Sequence, residues 1–350
     1  MGIKKKALWT CIALVIAILT IRAVFSSAGG GLTIGELYDT LRSADPKWLI
    51  AAVFGMFGII YFEGRALLAP LSRVGYRRSG SRGFLYSAAD VYFSAITPSA
   101  SGGQPASAYF MVRDGIPVST VTAVLILNLV MYTLAIVLLS VICMLAGPQY
   151  FLQFSTPSKV LIVAGFLALS GLAVLFILLL KKSSLVFGTA RRLVRFLSKH
   201  HLMRHPERRL KKLHESEEEY RLCVQLLQGH RGMLASVFFY DLLQRLSQFF
   251  VIIAVYMATG GEAGRVGELF VTQCYIIMGS NCVPVPGGMG VTDYLMLDGY
   301  GRMFGPAYAA NLEMIGRSLT FYGSVLISAL TVLVGYLALK RRTHSGDTPG

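Results

Sequence analysis

The chain has 350 residues, 54% of them hydrophobic and only 15% charged, with a formal net charge of +15. Soluble globular chains carry about a quarter charged residues, so this composition excludes an ordinary water-soluble enzyme and requires lipid as the solvent for its excess apolar surface. A bilayer core of roughly 30 Å takes about 20 consecutive apolar residues in a helix, and the question is whether the apolar residues are gathered into such runs.

They are. Residues 7–21 are apolar throughout and follow Lys4, Lys5 and Lys6. They read as a first membrane anchor rather than a signal peptide, because no small-x-small cleavage site leads into a soluble domain. A second span is expected at 48–68, trailed by Arg73, Arg77, Arg78 and Arg82. The stretch 84–112 is apolar but broken at Thr97-Pro98-Ser99-Ala100-Ser101-Gly102-Gly103-Gln104-Pro105. Spans at 118–146 and 160–180 follow, then a basic connector, 181–232, which reads as an amphipathic helix lying on an anionic membrane surface. Residues 233–258 form another span. The stretch 269–303 is broken at Pro284-Val285-Pro286-Gly287-Gly288-Met289-Gly290, and 315–339 closes the series before Lys340, Arg341 and Arg342.

Basic residues mark cytoplasmic loops, which places both termini, the Arg73–Arg82 segment and the connector inside. Parity then makes 84–112 enter and leave on the cytoplasmic face and 269–303 enter and leave on the external face. The expected fold is an all-α polytopic membrane protein with six full spans plus two re-entrant broken-helix hairpins in an inverted-topology repeat. Its halves are 7–146 and 158–340, within one membrane domain covering 1–350. Such repeats with paired breaks point to a transporter with a midplane site. The plainer alternative for each break is a Pro-kinked helix or an external loop.

Non-helical backbone is tolerated at membrane depth only inside protein or beside a wet cavity. A helix restarting near Pro105 or Pro286 presents free N–H groups and a positive dipole end to an anion such as phosphate. Candidate binding residues are therefore Thr97, Ser99, Ser101, Gly102, Gly103 and Gln104 at the first break, and Gly287, Gly288, Gly290 and Asp293 at the second. Ionisable residues at membrane depth are functional candidates by default. Asp241 with Arg245, and Glu313 with Arg317, stand four apart and can pair on one helix face, which also allows a purely structural role. Arg317 suits a phosphate; Asp293 suits a cationic group or a proton. Glu63 and Arg65 read as snorkelling interface residues. Asp90 also lies in an apolar run.

The remaining constellations carry no chemistry. His200, His201, His205 and His214 lack metal spacing. The five cysteines, Cys11, Cys143, Cys223, Cys274 and Cys282, form no C-x-x-C pair. No phosphate-binding loop, dinucleotide fingerprint or catalytic triad is present, so neither a cofactor nor a metal is expected. The net charge reports topology and lipid contact, and nucleic acid is not an expected partner.

The run from Ile96 to Pro105, with Ala108-Tyr109 and Asp114-Gly115 after it, resembles the distinctive motif of the lysylphosphatidylglycerol synthase transmembrane family, the membrane domain of multiple-peptide-resistance proteins. Pro284 to Gly290 followed by Asp293 resembles its second motif, with Asp293 standing where the longer Glu is frequent. The resemblance implies a lipid flippase of the bacterial cytoplasmic membrane. It would move an anionic or aminoacylated phospholipid such as lysyl-phosphatidylglycerol between leaflets, in resistance to cationic antimicrobial peptides or in envelope lipid assembly. Stand-alone relatives resemble carriers of other anionic lipids or polyprenyl-linked intermediates. The chain ends soon after its last span, so no soluble synthase domain is expected and a separate lipid-aminoacylating synthase becomes a possible partner, as does a second copy of the chain. Two alternatives stand beside the flippase: the membrane part of a phosphatidylglycerol lysyltransferase, the family-level name, and a transporter of small soluble anions.

Overall fold

A computed structural model describes residues 42–97, 101–182, 187–189, 191, 192, 194, 206–282 and 290–344. The expected first span (7–21) lies outside them, as do Pro98, Ser99, Ala100 and the segment from Val283 to Met289 with Gly287 and Gly288. Among the described residues the regular elements are all helical. In chain order they are α1 (Pro46–Arg73), α2 (Gly80–Ile96), α3 (Gly103–Arg113), α4 (Val118–Ala146), the short α5 (Pro148–Gln153), α6 (Thr156–Lys181), α7 (Pro206–Gln228), α8 (Arg231–Ala258), α9 (Val266–Ser280), α10 (Val291–Phe304), α11 (Pro306–Arg317) and α12 (Ser324–His344). A single-turn 3-10 segment, Ala263–Arg265, precedes α9, and a π-helical segment, Ser318–Gly323, joins α11 to α12. Among the described residues five helical stretches are long and apolar enough to cross a bilayer: α1, α4, Thr156–Leu180, α8 and the run Pro306–Leu339. The chain is thus a multi-pass membrane protein. The last stretch begins nine residues before the expected start at 315, because Gly305 (φ 89°) turns the chain and Pro306 opens the new helix.

Helix α1 starts where the Asp45 carboxylate accepts the Lys47 N–H at 2.9 Å and Pro46 takes the first helical position. It runs antiparallel to α8: the Asp45 N–H bonds the Ala258 carbonyl at 2.9 Å, while Arg65 reaches Tyr240 at 3.5 Å. The carboxyl ends of α1 and α8 therefore lie at opposite ends of the pair, and each leads into a broken hairpin.

The α2–α3 hairpin is tied shut at its mouth. Asp114, just past α3, pairs with Arg82 at 3.2 Å and accepts from Tyr86 Oη at 2.5 Å, and its carbonyl accepts from Arg78 at 2.6 Å. The α9–α10 hairpin is tied in the same manner, with Arg265 donating to the Met303 carbonyl at 3.0 Å and lying 4.5 Å from the Phe304 ring centre. In each hairpin the chain leaves and returns at one end. Gly64 and Gly83 let α1 and α2 cross so closely that a Cβ on Gly64 would stand 2.6 Å from the Gly83 carbonyl carbon. That approach brings Glu63 against α2.

Apolar packing falls into two clusters. One gathers Met56, Phe249, Tyr256, Tyr275, Leu295 and Tyr300 around α8, α9 and α10; the other gathers Leu67, Tyr86, Met111, Leu127, Tyr220 and Leu227 around α1, α2, α4 and α7. The connector helix α7 docks on α4, where Ser119 donates to Glu219 at 2.6 Å. Outward, Phe54 and Phe57 of α1, Val160, Val163 and Leu167 of α6 and Leu330, Leu333 and Val334 of α12 are exposed, as a lipid-facing surface requires.

Candidate functional site

At the first break, Thr97 closes the loop on itself: its hydroxyl donates to the Phe93 carbonyl at 2.6 Å and accepts the Gly102 N–H at 2.9 Å. Helix α3 then restarts at Gly103, beside a carboxylate of the chain's own. Asp90 accepts from Gln104 Nε2 at 2.6 Å and from Ser94 Oγ at 2.9 Å. A Cβ on Gly103 would land on Asp90 Oδ1 and Ser94 Oγ, so only glycine leaves room for that carboxylate. Asp90 in turn contacts the Glu63 carboxyl. Glu63 accepts from Ser87 Oγ at 2.9 Å and from Gln244 Nε2 at 3.1 Å. A polar chain thus runs from the first break through α2 and α1 into α8.

Asp241 and Arg245 do not pair. Arg245 donates to Gln248 Oε1 at 2.7 Å and stacks 4.1 Å from the Tyr132 ring centre, which aims it away from Asp241. Asp241 is fully buried, and among the described residues neither of its oxygens has a hydrogen-bond partner. Glu63 is likewise no interface residue: only 8% exposed, it sits on the buried stripe Met56, Ile60, Glu63, Leu67 of α1. Helical spacing held that signal.

At the second break, Gly290 (φ 79°) turns the chain and the Asp293 carboxylate accepts its N–H at 2.8 Å, capping α10. The other Asp293 oxygen lies 2.8 Å from Arg317 Nε. The N–H is not aligned on it, so the contact is ionic rather than a hydrogen bond. Arg317 therefore pairs across helices with Asp293, and Glu313, one turn earlier on α11, touches the Asp293 carboxyl and interacts electrostatically with Arg317. Arg317 also lies 4.8 Å from the Phe321 ring centre, in the π-helical segment. Such segments are rare and concentrate at functional sites. Sequence spacing gave no hint of this one.

Helix α1 passes both polar groups. Gly323, closing the π-helical segment, packs against Met56 of α1, and Met56 and Glu63 are seven residues apart, roughly 10 Å along the helix. Each stands ten residues, about 15 Å, from an end of α1. Of the expected binding residues, Gln104, Gly102 and Gly103 sit at the first group and Gly290, Asp293, Glu313 and Arg317 at the second. Ser101 is exposed at the turn, and Ser99, Gly287 and Gly288 lie outside the described residues. Both helix starts expected to bind an anion already face a carboxylate of the protein.

A third feature had no counterpart in the sequence reading. Where α1 ends beside the start of α8, an open cleft of about 770 Å³ is lined by Arg65, Arg73, Arg77, Arg78 and Arg231, with His230 and Tyr240. Among the described residues no group of three or more His, Cys, Asp or Glu side chains is arranged to hold a metal ion.

A family model described as the lysylphosphatidylglycerol synthase TM region matches residues 10–328. No curated protein and no solved structure matches the chain.

Proposed function

The chain belongs to the lysylphosphatidylglycerol synthase transmembrane family, and from that premise we propose that it is a flippase carrying an anionic or aminoacylated phospholipid, such as lysyl-phosphatidylglycerol, between the leaflets of a bacterial cytoplasmic membrane. The observation that carries this reading is the Asp293–Arg317 ion pair at a helix restart, with Arg317 buried and Asp293 partly exposed, beside a π-helical segment. A phospholipid phosphate matches the Arg317 guanidinium better than one misaligned carboxylate does. A lysyl ammonium, released to the other side, finds Asp293 and Glu313. A headgroup carrying both signs thus replaces an internal pair with two external ones and leaves no buried charge alone, which otherwise costs 3–5 kcal/mol on the order of a broken buried pair.

Six full spans, counting residues 7–21, and two re-entrant hairpins form an inverted-topology repeat in this scheme. The antiparallel α1–α8 pair and the oppositely placed hairpin mouths support it. The arginine cleft at the α1–α8 end marks the cytoplasmic side, with both termini there, and gathers anionic headgroups before they enter. Rocking of the halves exposes the midplane site to each leaflet in turn. A role in resistance to cationic antimicrobial peptides follows from moving a cationic lipid outward.

The test is leaflet exchange of headgroup-labelled phosphatidylglycerol and lysyl-phosphatidylglycerol in proteoliposomes. Loss of a charge-assisted contact of about 1.5–3 kcal/mol should slow exchange about ten- to hundredfold in Arg317→Ala, and Asp293→Asn should slow the lysyl lipid more than the unmodified one. Arg317→Lys, which keeps the charge and the fold, should still be slow. Normal exchange in all three variants, or transport of free glycerol phosphate without lipid exchange, refutes this assignment.

A further inference from the structure

We propose that Glu63, Asp90 and Asp241 form a proton-binding site that couples lipid movement to a proton gradient, an inference that rests on the flippase reading for its cargo but not for the site itself. The argument is a count of hydrogens. Glu63 and Asp90 receive donors from Ser87, Gln244, Ser94 and Gln104. Their carboxyls also touch each other, and two carboxyl groups make a stable contact only with a proton between them.

Around this contact the excess of acceptors continues. Both oxygens of Asp241 and the amide oxygens of Gln104 and Gln244 are buried without a donor among the described residues. Asp241 is 0% and Gln244 7% exposed. Buried acceptors are almost always paired, so a proton taken up by this cluster adds a donor where the chain's own groups supply too few.

The charges facing the site agree. On α1 the neighbour is Arg65, engaged with Tyr240 of α8. Helix α2 contributes Asp90, α8 contributes Asp241 and Arg245, and α4 contributes Tyr132 beneath Arg245. Helix α3 carries Tyr109 and Arg113 toward its far end, and α12 carries Tyr336 between Ser324 and Leu339. The buried arginine here, Arg245, lies near Glu63 and is turned away from Asp241, so full ionisation of the three carboxyl groups would leave two buried negative charges unmatched. A metal ion is a poorer occupant, since the described residues offer no three-carboxylate arrangement around one point.

Coupling follows from placement. Glu63 and Asp90 lie on α1 and α2, so the proton joins those two helices, and Gln244 of α8 donates to the same Glu63 carboxyl across the α1–α8 seam. Gain of the proton closes the Glu63–Asp90 contact; its loss leaves two adjacent anions that repel and release Gln104 at the first break.

Infrared absorption of protonated carboxyl groups, recorded on the purified full chain in lipid at neutral pH, tests the site without reference to transport. A protonated-carboxyl signal is expected in the native protein and should fall by half or more in Glu63→Gln and in Asp90→Asn. Its absence from the native protein, or a signal undiminished from the native level in both variants, overturns the proposal. The native spectrum decides this even where a variant fails to fold. In proteoliposomes a gradient of one pH unit can skew leaflet distribution at most about tenfold per proton; the skew should vanish in Asp90→Asn. Native exchange that ignores the proton gradient, or follows a sodium gradient in its place, overturns proton coupling while leaving the flippase intact. A carboxyl signal that behaves as expected with no lipid exchange at all sinks the flippase and keeps the proton site.

Discussion

Gly103 is the residue on which the first polar group closes, because its missing side chain is the space that Asp90 and Ser94 occupy. Gly103→Ala should lower the apparent melting temperature in detergent, with an overpacking cost of about 1–3 kcal/mol. Gly171→Ala is the control. Nothing lies within 4 Å of a Cβ there, so the exposed helical position should be unchanged or stabilised by up to about 1 kcal/mol. Equal melting of both variants would remove the steric account of Gly103. Individual residues were unequally legible in the sequence. Asp293 and Arg317 announced themselves as charges in apolar runs, but their pairing is a fact of tertiary packing between α10 and α11 and leaves no trace in spacing. Glu63 was legible from its place on a buried stripe, yet its nearness to a helix end made snorkelling the simpler reading. The i, i+4 spacing of Asp241 and Arg245 misled because Tyr132 and Gln248 offer the guanidinium a better seat.

Whole elements were easier. The glycine and proline clusters located both breaks, since no regular helix runs through such runs, and the long apolar helices matched expectation to within a few residues at most ends. The exception was the last span, whose first turns, Pro306–Arg317, carry Glu313 and Arg317 and so interrupt the apolar run. Helix α7, expected to lie on a membrane surface, docks Tyr220 and Leu227 into the apolar cluster beside α4. Burial there pushes the Cys223 thiol up to about 11, because the charged form loses its water. The thiolate is the reactive species, so in a chain retaining only this cysteine, maleimide labelling should be slow at neutral pH and rise until about pH 11. Ser119→Ala, which removes the Glu219 contact, should speed labelling at neutral pH. Rapid labelling of the unaltered helix would show that α7 does not stay docked.

At the scale of the molecule, the antiparallel α1–α8 seam is where one half of the proposed repeat meets the other. A Cβ on Gly58 would stand 3.3 Å from Ser247 Cβ, close to the separation a disulfide spans. Gly58→Cys combined with Ser247→Cys should therefore form a bridge on oxidation, arrest lipid exchange if the halves move along this seam, and recover on reduction. Full exchange in the bridged protein would move the motion elsewhere, to the hairpins themselves. Those hairpins also bear on how the protein is made. Asp114 gathers Arg78, Arg82 and Tyr86 only after the chain has passed α3, and Arg265 finds the Met303 carbonyl only after α10 exists. In the proposed re-entrant topology, a hairpin that returns to the side it left has little to gain by entering lipid alone. The long helices would then be threaded first, and biogenesis would end with two late insertions, each latched at its own mouth by an arginine.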